Sequence, residues 1–393
     1  MAKTGIGFDA RLIGALGIGR YISGLLPELA TLLGEQITIF AQARDAALIR
    51  AMVGSAPHLL TVNASPYRLA EQSILPLRLA QAGVLLVHFP HYNLPLLKPA
   101  RFVVTVHDLF PFEFPEIHSG PLPRAVNHVL IRNAIMGARQ VIAPSSATAA
   151  AIARHFSSFA SKVTVIPEAA EERFNPVRNL EAEAAWQVRL GIRPPYVLYV
   201  GQWKAYKNLP LLIEAFRMVL DTHPSAQLVI AGNDPRHPEV RQAARRFPEG
   251  SVVLPGRVPD SGIPDLYRGA AVVVLPSRAE GFGLPVIEAM ACGVPVVCSD
   301  LPVLREVGDG AAIFRDPTSS KSFAEGISSV LDSDGMAAMR RRGLDHAATF
   351  SWRRAARATV AVYESVLGRR LVGAALEEDS GSGQDQDLKV ERQ

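Results

Sequence analysis

The sequence predicts an α/β protein with two doubly wound, Rossmann-like domains, and three observations support this. Short β-rich apolar runs alternate with helical patterns in both halves of the chain, as in the βαβ units of parallel sheets. The length of 393 residues favours two domains over one large core. Between the halves, residues 167–195 carry several glutamates and end in Pro194-Pro195, which indicates an interdomain connection.

The same alternation of predicted strands and helices occurs in both halves. In the first half they cover residues 36–41, 84–89, 102–106, 140–143 and 163–166. In the second half they cover 196–200, 227–231, 252–254, 271–275 and 294–298, and a helix is predicted over 209–220. Because doubly wound folds bind ligands at the carboxyl ends of their strands, we expect the functional residues in the loops that follow these strands.

A helix is also predicted near the C-terminus, over residues 352–370, with Ser351 as its N-cap. One face of this helix is apolar and must pack on another part of the chain; it consists of Trp352, Ala356, Val360, Tyr363 and Leu367. The last stretch, residues 376–393, is polar, acidic and rich in Gly and Ser, which predicts a disordered tail.

The composition excludes several classes of protein. Hydrophobic residues make up 48% and charged residues 20%, so most of the chain should fold. The excess of four basic residues admits an anionic substrate or a peripheral membrane contact, but no Arg and aromatic interleaving points to nucleic acid. Cys292 and Cys298 exclude a disulfide framework and match no zinc spacing. No signal peptide or membrane span is present in the sequence pattern, so we expect a cytoplasmic protein, with attachment at the inner face of the membrane left open.

The most informative segment is PSRAEGFGLPVIEAMACG, residues 276–293, directly after a predicted strand. Gly281 and Gly283 permit a tight turn, and Pro285 suits the first residue of a helix that should run to Ala291, with Gly293 just past its end.

The start of this helix predicts an anion site. The backbone N–H groups of Phe282, Gly283 and Leu284 lie at the positive end of the helix dipole and suit a diphosphate. Glu280 before the loop and Glu288 on the first turn flank that site. Carboxylates bind neutral hydroxyl donors, so we expect sugar hydroxyls at Glu280 and ribose hydroxyls at Glu288. A capping glutamate would explain Glu288 alone, whereas the whole segment predicts a nucleotide sugar.

A second candidate is Lys207 in GQWKAYKN, after the strand 196–200. An ammonium at this position can neutralise the phosphate charge that develops as a sugar leaves. Weaker candidates are the glycines 14, 17 and 19 before a helix predicted to start near Arg20, which alone indicate a simple tight turn. His107 follows the strand 102–106 and on its own is more often structural. The hydroxyl residues in APSSATAAA most simply cap the next helix; they are Ser145, Ser146 and Thr148.

Several segments of the chain resemble those of a known protein family. EGFGLPVIE, closed by EAMACGVPVV, resembles the retaining GT-B glycosyltransferases of family four. VGQWKAYKNLPLLIEAF, LVIAGND, VVLPGRVPDSGIPDLYRGA, LREVGDGAAIF and FSWRRAA resemble family segments in family order. GALGIGRYISGLLPELA, TVHDLFPFEFPE and VIAPSSATAAAI extend the likeness over nearly the whole chain to about residue 367.

The resemblance implies a GT-B fold. An N-terminal acceptor-binding domain, residues 1–172 joined by the C-terminal helix 352–370, would face a nucleotide-sugar-binding domain, residues 173–351, across a cleft. The connection 167–195 would then serve as a hinge for closure.

The resemblance also implies roles for particular residues. Gly17 and Gly19 would approach the donor phosphates, Lys207 would bind them, and His107 would hydrogen-bond the transferred sugar. Arg257 and Val258 would border the base through their backbone. Many relatives carry an Arg where this chain has Gln202, and Lys204 is the candidate that replaces its charge.

The function expected from this resemblance is retaining transfer of a hexose to a glycan or lipid-linked saccharide in cell-envelope or exopolysaccharide synthesis. GDP-mannose is the favoured donor on the TVHDLFP and KNL segments, with UDP-glucose and dTDP-rhamnose open. No cofactor and no metal are expected, because the helix dipole and Lys207 supply positive charge. The acceptor hydroxyl would attack the face that the diphosphate leaves, and a phosphate oxygen would take its proton.

Three alternatives stay open at this point. A synthase or phosphorylase of the same architecture would act on a small sugar acceptor. A Rossmann oxidoreductase would need a Gly-x-Gly-x-x-Gly motif, and the order Gly14-x-x-Gly17-x-Gly19 does not fit it. A catalytically silent binding protein is hard to reconcile with the joint presence of His107, Lys207, Glu280 and Glu288.

Overall fold

The structure is a computed structural model that describes residues 5–98, 101–114, 121–332 and 336–372. The tail predicted over 376–393 lies outside these residues. Two compact units emerge. Of the described residues, one draws on 5–98, 101–105, 130–141 and 353–372, and the other on 106–114, 121–129, 142–332 and 336–352.

The first sheet has seven strands in the order β3-β2-β1-β4-β5-β6-β7. Their bounds are β1 Ile6–Asp9, β2 Ile37–Ala41, β3 His58–Thr61, β4 Leu86–Phe89, β5 Arg101–Thr105, β6 Gln140–Ala143 and β7 Val163–Val165. β1 pairs in parallel with both β2 and β4, so the direction of winding reverses between β1 and β4.

The second sheet has six strands in the order β10-β9-β8-β11-β12-β13, with all five pairings parallel. Their bounds are β8 Tyr196–Val200, β9 Gln227–Ala231, β10 Val252–Gly256, β11 Val272–Leu275, β12 Val296–Ser299 and β13 Ile313–Arg315. Here the winding reverses between β8 and β11. The two sheets therefore share the doubly wound strand order that the sequence predicts, and each has one switch point at which such folds bind ligands.

Fifteen helices accompany these strands in the described part of the chain. In the first half they are α1 Leu16–Leu33, α2 Ala46–Val53, α3 Glu71–Ala82, α4 Phe110–Glu113, α5 Pro121–Gly137 and α6 Ser146–His155. The others are α7 Leu180–Leu190, α8 Leu209–Thr222, α9 Pro238–Ala244, α10 Ile263–Gly269, α11 Leu284–Ala291, α12 Pro302–Gly308, α13 Ser320–Leu331, α14 Met336–Ala347 and α15 Trp352–Leu367.

The C-terminal helix α15 packs with the first sheet's strands, as the resemblance implied. Its residues Trp352, Ala356, Val360 and Tyr363 are buried. The Tyr363 hydroxyl lies 2.6 Å from Nδ1 of His88, a fully buried residue of β4. The helix ends at Leu367, three residues before the predicted end.

The start of α1 corrects one prediction. The helix begins at Leu16 and not near Arg20, so Gly17 and Gly19 lie in its first turn and not in a loop before it. The N–H of Gly19 donates to the carbonyl of Ala15 at 2.7 Å, which is the first helical turn. A Cβ on Gly19 would meet the carbonyl oxygen of Ile13 at 2.3 Å, whereas one on Gly17 would meet nothing. Gly19 is thus required by the close approach of the preceding turn.

The predicted domain boundary at 172/173 and the boundaries of the two compact units differ. The predicted boundary at 172/173 follows the sheets, because β6 and β7 belong to the first sheet. The compact units instead group residues 106–129 and 142–172 with the second sheet. The domain limits therefore stay a prediction. His107 belongs to the second compact unit.

Candidate functional site

Two loops meet at the switch point of the second sheet, one after β8 and one after β11. Lys207 ends the first loop, and its Nζ lies 2.7 Å from Oε1 and 2.9 Å from Oε2 of Glu280 in the second. The hydroxyl of the buried Ser277 donates to Oε1 of Glu280 at 2.6 Å. Both charged side chains are largely buried, with 15% of Lys207 and 8% of Glu280 exposed. The structure therefore brings together two of the residues that the sequence singled out.

The backbone on either side of Lys207 is fixed by contacts with its neighbours. The carbonyl of Tyr206 accepts the N–H of Arg278 at 2.7 Å, which ties the two loops together. Asn208 has a φ of 59° in the left-handed region, and its buried amide donates to the carbonyls of Pro276 and Pro317. Such a conformation costs free energy and persists where surrounding contacts enforce it, so the position of Lys207 is held on both sides.

Helix α11 begins where the anion site was predicted. Gly283 precedes it with a φ of 103°, and a Cβ at that position would meet the Leu304 side chain at 2.7 Å. The first N–H groups of a helix have no intrahelical partner, and their positive end faces the loop that carries Glu280. The helix ends at Ala291, and Gly293 follows with a φ of 69°, as predicted. An anion bound by the N–H groups of Phe282, Gly283 and Leu284 stays a prediction.

A close backbone approach joins Gly281 to the loop after β5. A Cβ on Gly281 would lie 2.4 Å from the carbonyl oxygen of His107, so only glycine fits here without a shift. The carbonyl of Gly281 accepts the hydroxyls of Ser145 at 2.9 Å and Thr148 at 3.2 Å. Ser145 also accepts the N–H of Thr148 at 3.1 Å, which confirms that it caps the helix α6. His107 and Glu280 therefore lie on two loops in direct contact.

His107 has a partner that sequence reasoning missed. Its Nδ1 lies 3.0 Å from Oε1 of Glu168, a carboxylate that is 95% buried in the segment after β7. A carboxylate only accepts hydrogen bonds, so the proton of the imidazole lies on Nδ1. No sequence signal pointed to Glu168, because it is one of several glutamates in a stretch that was interpreted as a connection.

Glu288 lies one residue later on the helix than expected. It is the fifth residue of α11 and opens the second turn, not the first. It is 3% exposed, and its Oε2 accepts the hydroxyl of Tyr267 at 2.9 Å. The ribose contact of Glu288 stays a prediction.

The remaining predicted residues lie in the loops after β8 and β10 or in the other compact unit. Lys204 is half-buried directly before the short turn that carries Lys207. Gln202 accepts the hydroxyl of the buried Tyr199 through its carbonyl at 2.8 Å. Arg257 is exposed and Val258 is buried, both just after β10. Gly17 and Gly19 belong to the other compact unit. The donor contacts of all these residues stay predictions.

The loop between β8 and α8 carries a tyrosine, Tyr206, whose pKa is raised by its surroundings. Burial, and then the charges of Glu280 and Asp108, raise the pKa of the Tyr206 phenol. Its ring contacts that of Phe110, with centroids 5.3 Å apart. Tyr206 therefore stays protonated at neutral pH and can only act as a neutral hydrogen-bonding group.

The described residues contain neither a candidate metal site nor a candidate membrane-spanning helix. No group of three or more His, Cys, Asp or Glu among them could hold a metal ion. None of the helices in the described ranges has the length and apolar character needed to cross a membrane.

Family comparisons cover most of the chain. The family described as Glycosyl transferases group 1 matches residues 182–344, and the one described as Glycosyltransferase Family 4 matches residues 16–172.

Two similar proteins are named as glycosyltransferases. O-antigen chain mannosyltransferase B of Escherichia coli is 31% identical over 288 residues, which cover 70% of this chain and 73% of that protein. D-inositol 3-phosphate glycosyltransferase of Streptomyces avermitilis is 30% identical over 397 residues, which cover 89% of this chain and 83% of that protein.

Solved structures show the same fold. HepE of Anabaena, in complex with UDP and glucose, has a TM-score of 0.74 at 19% identity and covers 92% of this chain and all of its own. WaaG, a glycosyltransferase of lipopolysaccharide biosynthesis, has a TM-score of 0.71 at 14% identity over 92% of this chain and all of its own. With the family matches and the shared strand order, these comparisons show a GT-B fold with two Rossmann-like domains. The chain belongs to the glycosyl transferases group 1, family four, and is a glycosyltransferase.

Proposed function

We propose that this glycosyltransferase moves a hexose, with mannose favoured, from a nucleotide diphosphate sugar to a saccharide acceptor with retention of anomeric configuration. The observation that carries the proposal is the contact of Lys207 with Glu280 beside the first turn of α11. Support for mannose comes from relatives named as O-antigen chain mannosyltransferases in Escherichia coli and, at 26% identity, in Salmonella typhimurium.

The diphosphate would bind the N–H groups of Phe282, Gly283 and Leu284. Lys207 would neutralise it from the neighbouring loop, and its charge matters most when the bond to the sugar breaks. The Lys207 and Glu280 charges cancel in part, so the site needs further positive charge for a diphosphate. Lys204 supplies it in this proposal, in place of the Arg that relatives carry at the position of Gln202. The base would lie against Arg257 and Val258, and the ribose against Glu288.

The hexose would lie between Glu280 and His107, which the close approach of Gly281 places on adjoining loops. Glu280 would accept a sugar hydroxyl while Lys207 and Ser277 hold its carboxylate in place. The proton on Nδ1 of His107 is directed to Glu168, so the imidazole would meet the sugar through its other edge. The acceptor hydroxyl would then attack the face from which the diphosphate departs, and a phosphate oxygen would take its proton, with no metal ion.

The acceptor in this proposal is a glycan or lipid-linked saccharide of the cell envelope or an exopolysaccharide, with the enzyme cytoplasmic and the membrane contact peripheral. A second candidate is transfer to a small polyol or sugar acceptor. The relative named D-inositol 3-phosphate glycosyltransferase, which aligns with 89% of this chain, favours this alternative.

The test begins with donor binding. Thermal unfolding is followed with GDP, UDP and dTDP, because a ligand present at about 100 times its Kd stabilises the folded state by roughly 2.7 kcal/mol. We expect GDP to raise the Tm and Lys207→Met to remove that shift. Lys321→Met, at an exposed position on α13, is the matched control and should respond like the natural chain.

The reaction is then followed by NMR with GDP-mannose and a panel of mannosides. Retention requires an α-linked product from the α-linked donor, and a chelator should leave the rate unchanged. A β-linked product, or the absence of any shift with all three nucleotides at millimolar concentration, would refute the proposal.

A further inference from the structure

The first sheet has its own switch point, between β1 and β4, and polar residues follow both strands there. Asp9 ends β1 and Arg11 follows it, while His91 and Asn93 follow β4. All four side chains are buried, with no more than 8% exposed. Ligands of doubly wound sheets bind at this edge, so the cluster lies where a second ligand of the enzyme is expected.

A buried charge network holds this edge together. The Arg11 guanidinium contacts both carboxylate oxygens of Asp9 at 2.8 Å and Oε1 of Glu71 at 2.7 Å. Glu71, fully buried at the start of α3, also accepts the side-chain amide of Asn93 at 3.2 Å. Its Oε2 accepts the backbone N–H of Tyr67 at 2.8 Å. Burying three charges is costly, and such a network is retained where it fixes one geometry. Here it fixes the backbone of Tyr67.

Tyr67 is held in an unfavourable backbone conformation with its side chain exposed. Only two non-glycine residues in the described part of the chain have a φ in the left-handed region: Asn208, next to Lys207, and Tyr67 at 63°. Asn tolerates this conformation, whereas a bulky residue such as Tyr rarely adopts it. The side chain is nevertheless 58% exposed and so gains little from burial. Strain of this kind, enforced by surrounding contacts, points to function.

The ring of Tyr67 is also oriented by His91. Nδ1 of His91 accepts the N–H of Asn93 at 3.1 Å, so it carries no proton. The Tyr67 hydroxyl, 3.3 Å from the same nitrogen, therefore donates to it. The His91 ring lies against that of Tyr92, with centroids 3.9 Å apart. The Tyr67 hydroxyl thus shares the single lone pair of this nitrogen with the Asn93 N–H, while 58% of the Tyr67 side chain is exposed.

We infer that the exposed ring of Tyr67, with its hydroxyl against the buried His91, forms a binding platform for a neutral pyranose ring of the acceptor. The inference deepens the proposed function and rests on it for the identity of the ligand as an acceptor. An exposed aromatic ring with an anchored hydroxyl offers an apolar surface to the C–H face of a sugar. The charges nearby are balanced, because Arg11 and the exposed Arg68 offset Asp9 and Glu71. The platform therefore has no excess positive charge that would select a phosphate.

The test uses saturation-transfer NMR with α-1,3-mannobiose and cellobiose as the probes, on the full chain with and without GDP. We expect transfer to pyranose C–H protons in the natural chain and a drop of about fivefold in Tyr67→Asn, since the aromatic contact is lost. Asn and Gly both suit a positive φ, so Tyr67→Asn and Tyr67→Gly should keep or raise the Tm. Leu69→Asn, at a position 92% exposed in the same segment, is the control and should bind as the natural chain does.

The outcomes separate this inference from the proposed function. Absence of saccharide contact in the natural chain, or equal transfer in Tyr67→Asn and Leu69→Asn, overturns the platform. A lower Tm in both Tyr67 variants with unchanged saccharide contact also overturns it, because Tyr67 would then be structural only. The nucleotide shift of the Tm reports on the Lys207 site independently. Saccharide contact without nucleotide binding would refute the proposed function and leave the platform in place.

Discussion

Replacing Gly281 with alanine tests whether the contact between the His107 loop and the Glu280 loop sets the catalytic geometry. A Cβ at this position would lie 2.4 Å from the carbonyl oxygen of His107 and 3.1 Å from its carbon. Reaching even 3.0 Å, a distance real Cβ atoms scarcely undercut, requires a shift of 3.0 − 2.4 = 0.6 Å. The atoms that must yield are backbone atoms, so no side-chain rotation relieves the overlap.

The shift also disturbs the hydrogen bonds that the Gly281 carbonyl accepts from Ser145 and Thr148. Two hydrogen bonds at about 1 kcal/mol each, with roughly 1–3 kcal/mol for the overlap, make a local cost of about 3–5 kcal/mol. The following residues, Phe282 and Gly283, carry the proposed phosphate contacts and would move with it. Displacements of about 1 Å in a positioned site cost roughly 100-fold in rate. We therefore expect kcat/KM to fall about 100-fold in Gly281→Ala.

Initial rates with GDP-mannose, together with thermal unfolding, measure both effects. The matched control is Gly343→Ala on α14, where the new Cβ would make ordinary contacts with Met290 at 3.4 Å or more. Alanine is favoured over glycine inside a helix by up to about 1 kcal/mol, so this control should be slightly more stable and fully active. If Gly281→Ala retained the natural rate, the close approach would have no part in positioning the site.

Three further predictions concern the same compact unit. Lys207→Met should lower kcat/KM by roughly 100- to 1000-fold, because it removes the charge at the leaving group and leaves Glu280 unpaired; unchanged kinetics would exclude Lys207 from phosphate binding. Glu168→Gln should lower kcat/KM about tenfold. The ¹⁵N spectrum of His107 should then show both tautomers, because a neutral amide no longer imposes a proton on Nδ1. An unchanged spectrum would contradict the role of Glu168 in fixing the tautomer. Burial raises the pKa of the Cys292 thiol to about 12. At pH 8 Cys292 should therefore react rapidly with a thiol reagent only after the protein is unfolded. Rapid labelling of the native protein would contradict the buried position of Cys292.

The sequence predicted the strands of both sheets where short apolar runs alternate with helical patterns. β8 and β9 match residues 196–200 and 227–231 without change. Three strands were not predicted, namely β1, β3 and β13. β1 is only four residues long and contains Gly7 and Asp9, while β3 has a partly exposed pattern at the sheet edge. Such strands are defined by their neighbours across the sheet, which local propensity does not report.

The part of the candidate site that could be predicted consists of residues that are close together in the sequence. Glu280, the two glycines and the helix start form one continuous segment, and their arrangement follows from turn and helix geometry. The partners that tune them come from distant segments: Glu168 lies 61 residues from His107, and Lys207 lies 73 residues from Glu280. Single-sequence reasoning placed Lys207 by its position after β8, but it gave no means to pair a particular glutamate with His107.

The contact of Lys207 with Glu280 bears on how one site could hold a carboxylate and a diphosphate together. A bare buried carboxylate would repel the diphosphate, whereas this one is neutralised by Lys207 and held by Ser277. An ammonium has three N–H donors, and Glu280 engages it through two oxygens, so one donor can reach a phosphate oxygen while the pair persists. In the proposed mechanism that interaction would strengthen as the departing diphosphate gains charge, and only such a difference between ground state and transition state accelerates a reaction. If Lys207 binds the diphosphate as proposed, Glu280 would keep it from binding substrate and product with its full charge, and the benefit of the pair would fall in the chemical step.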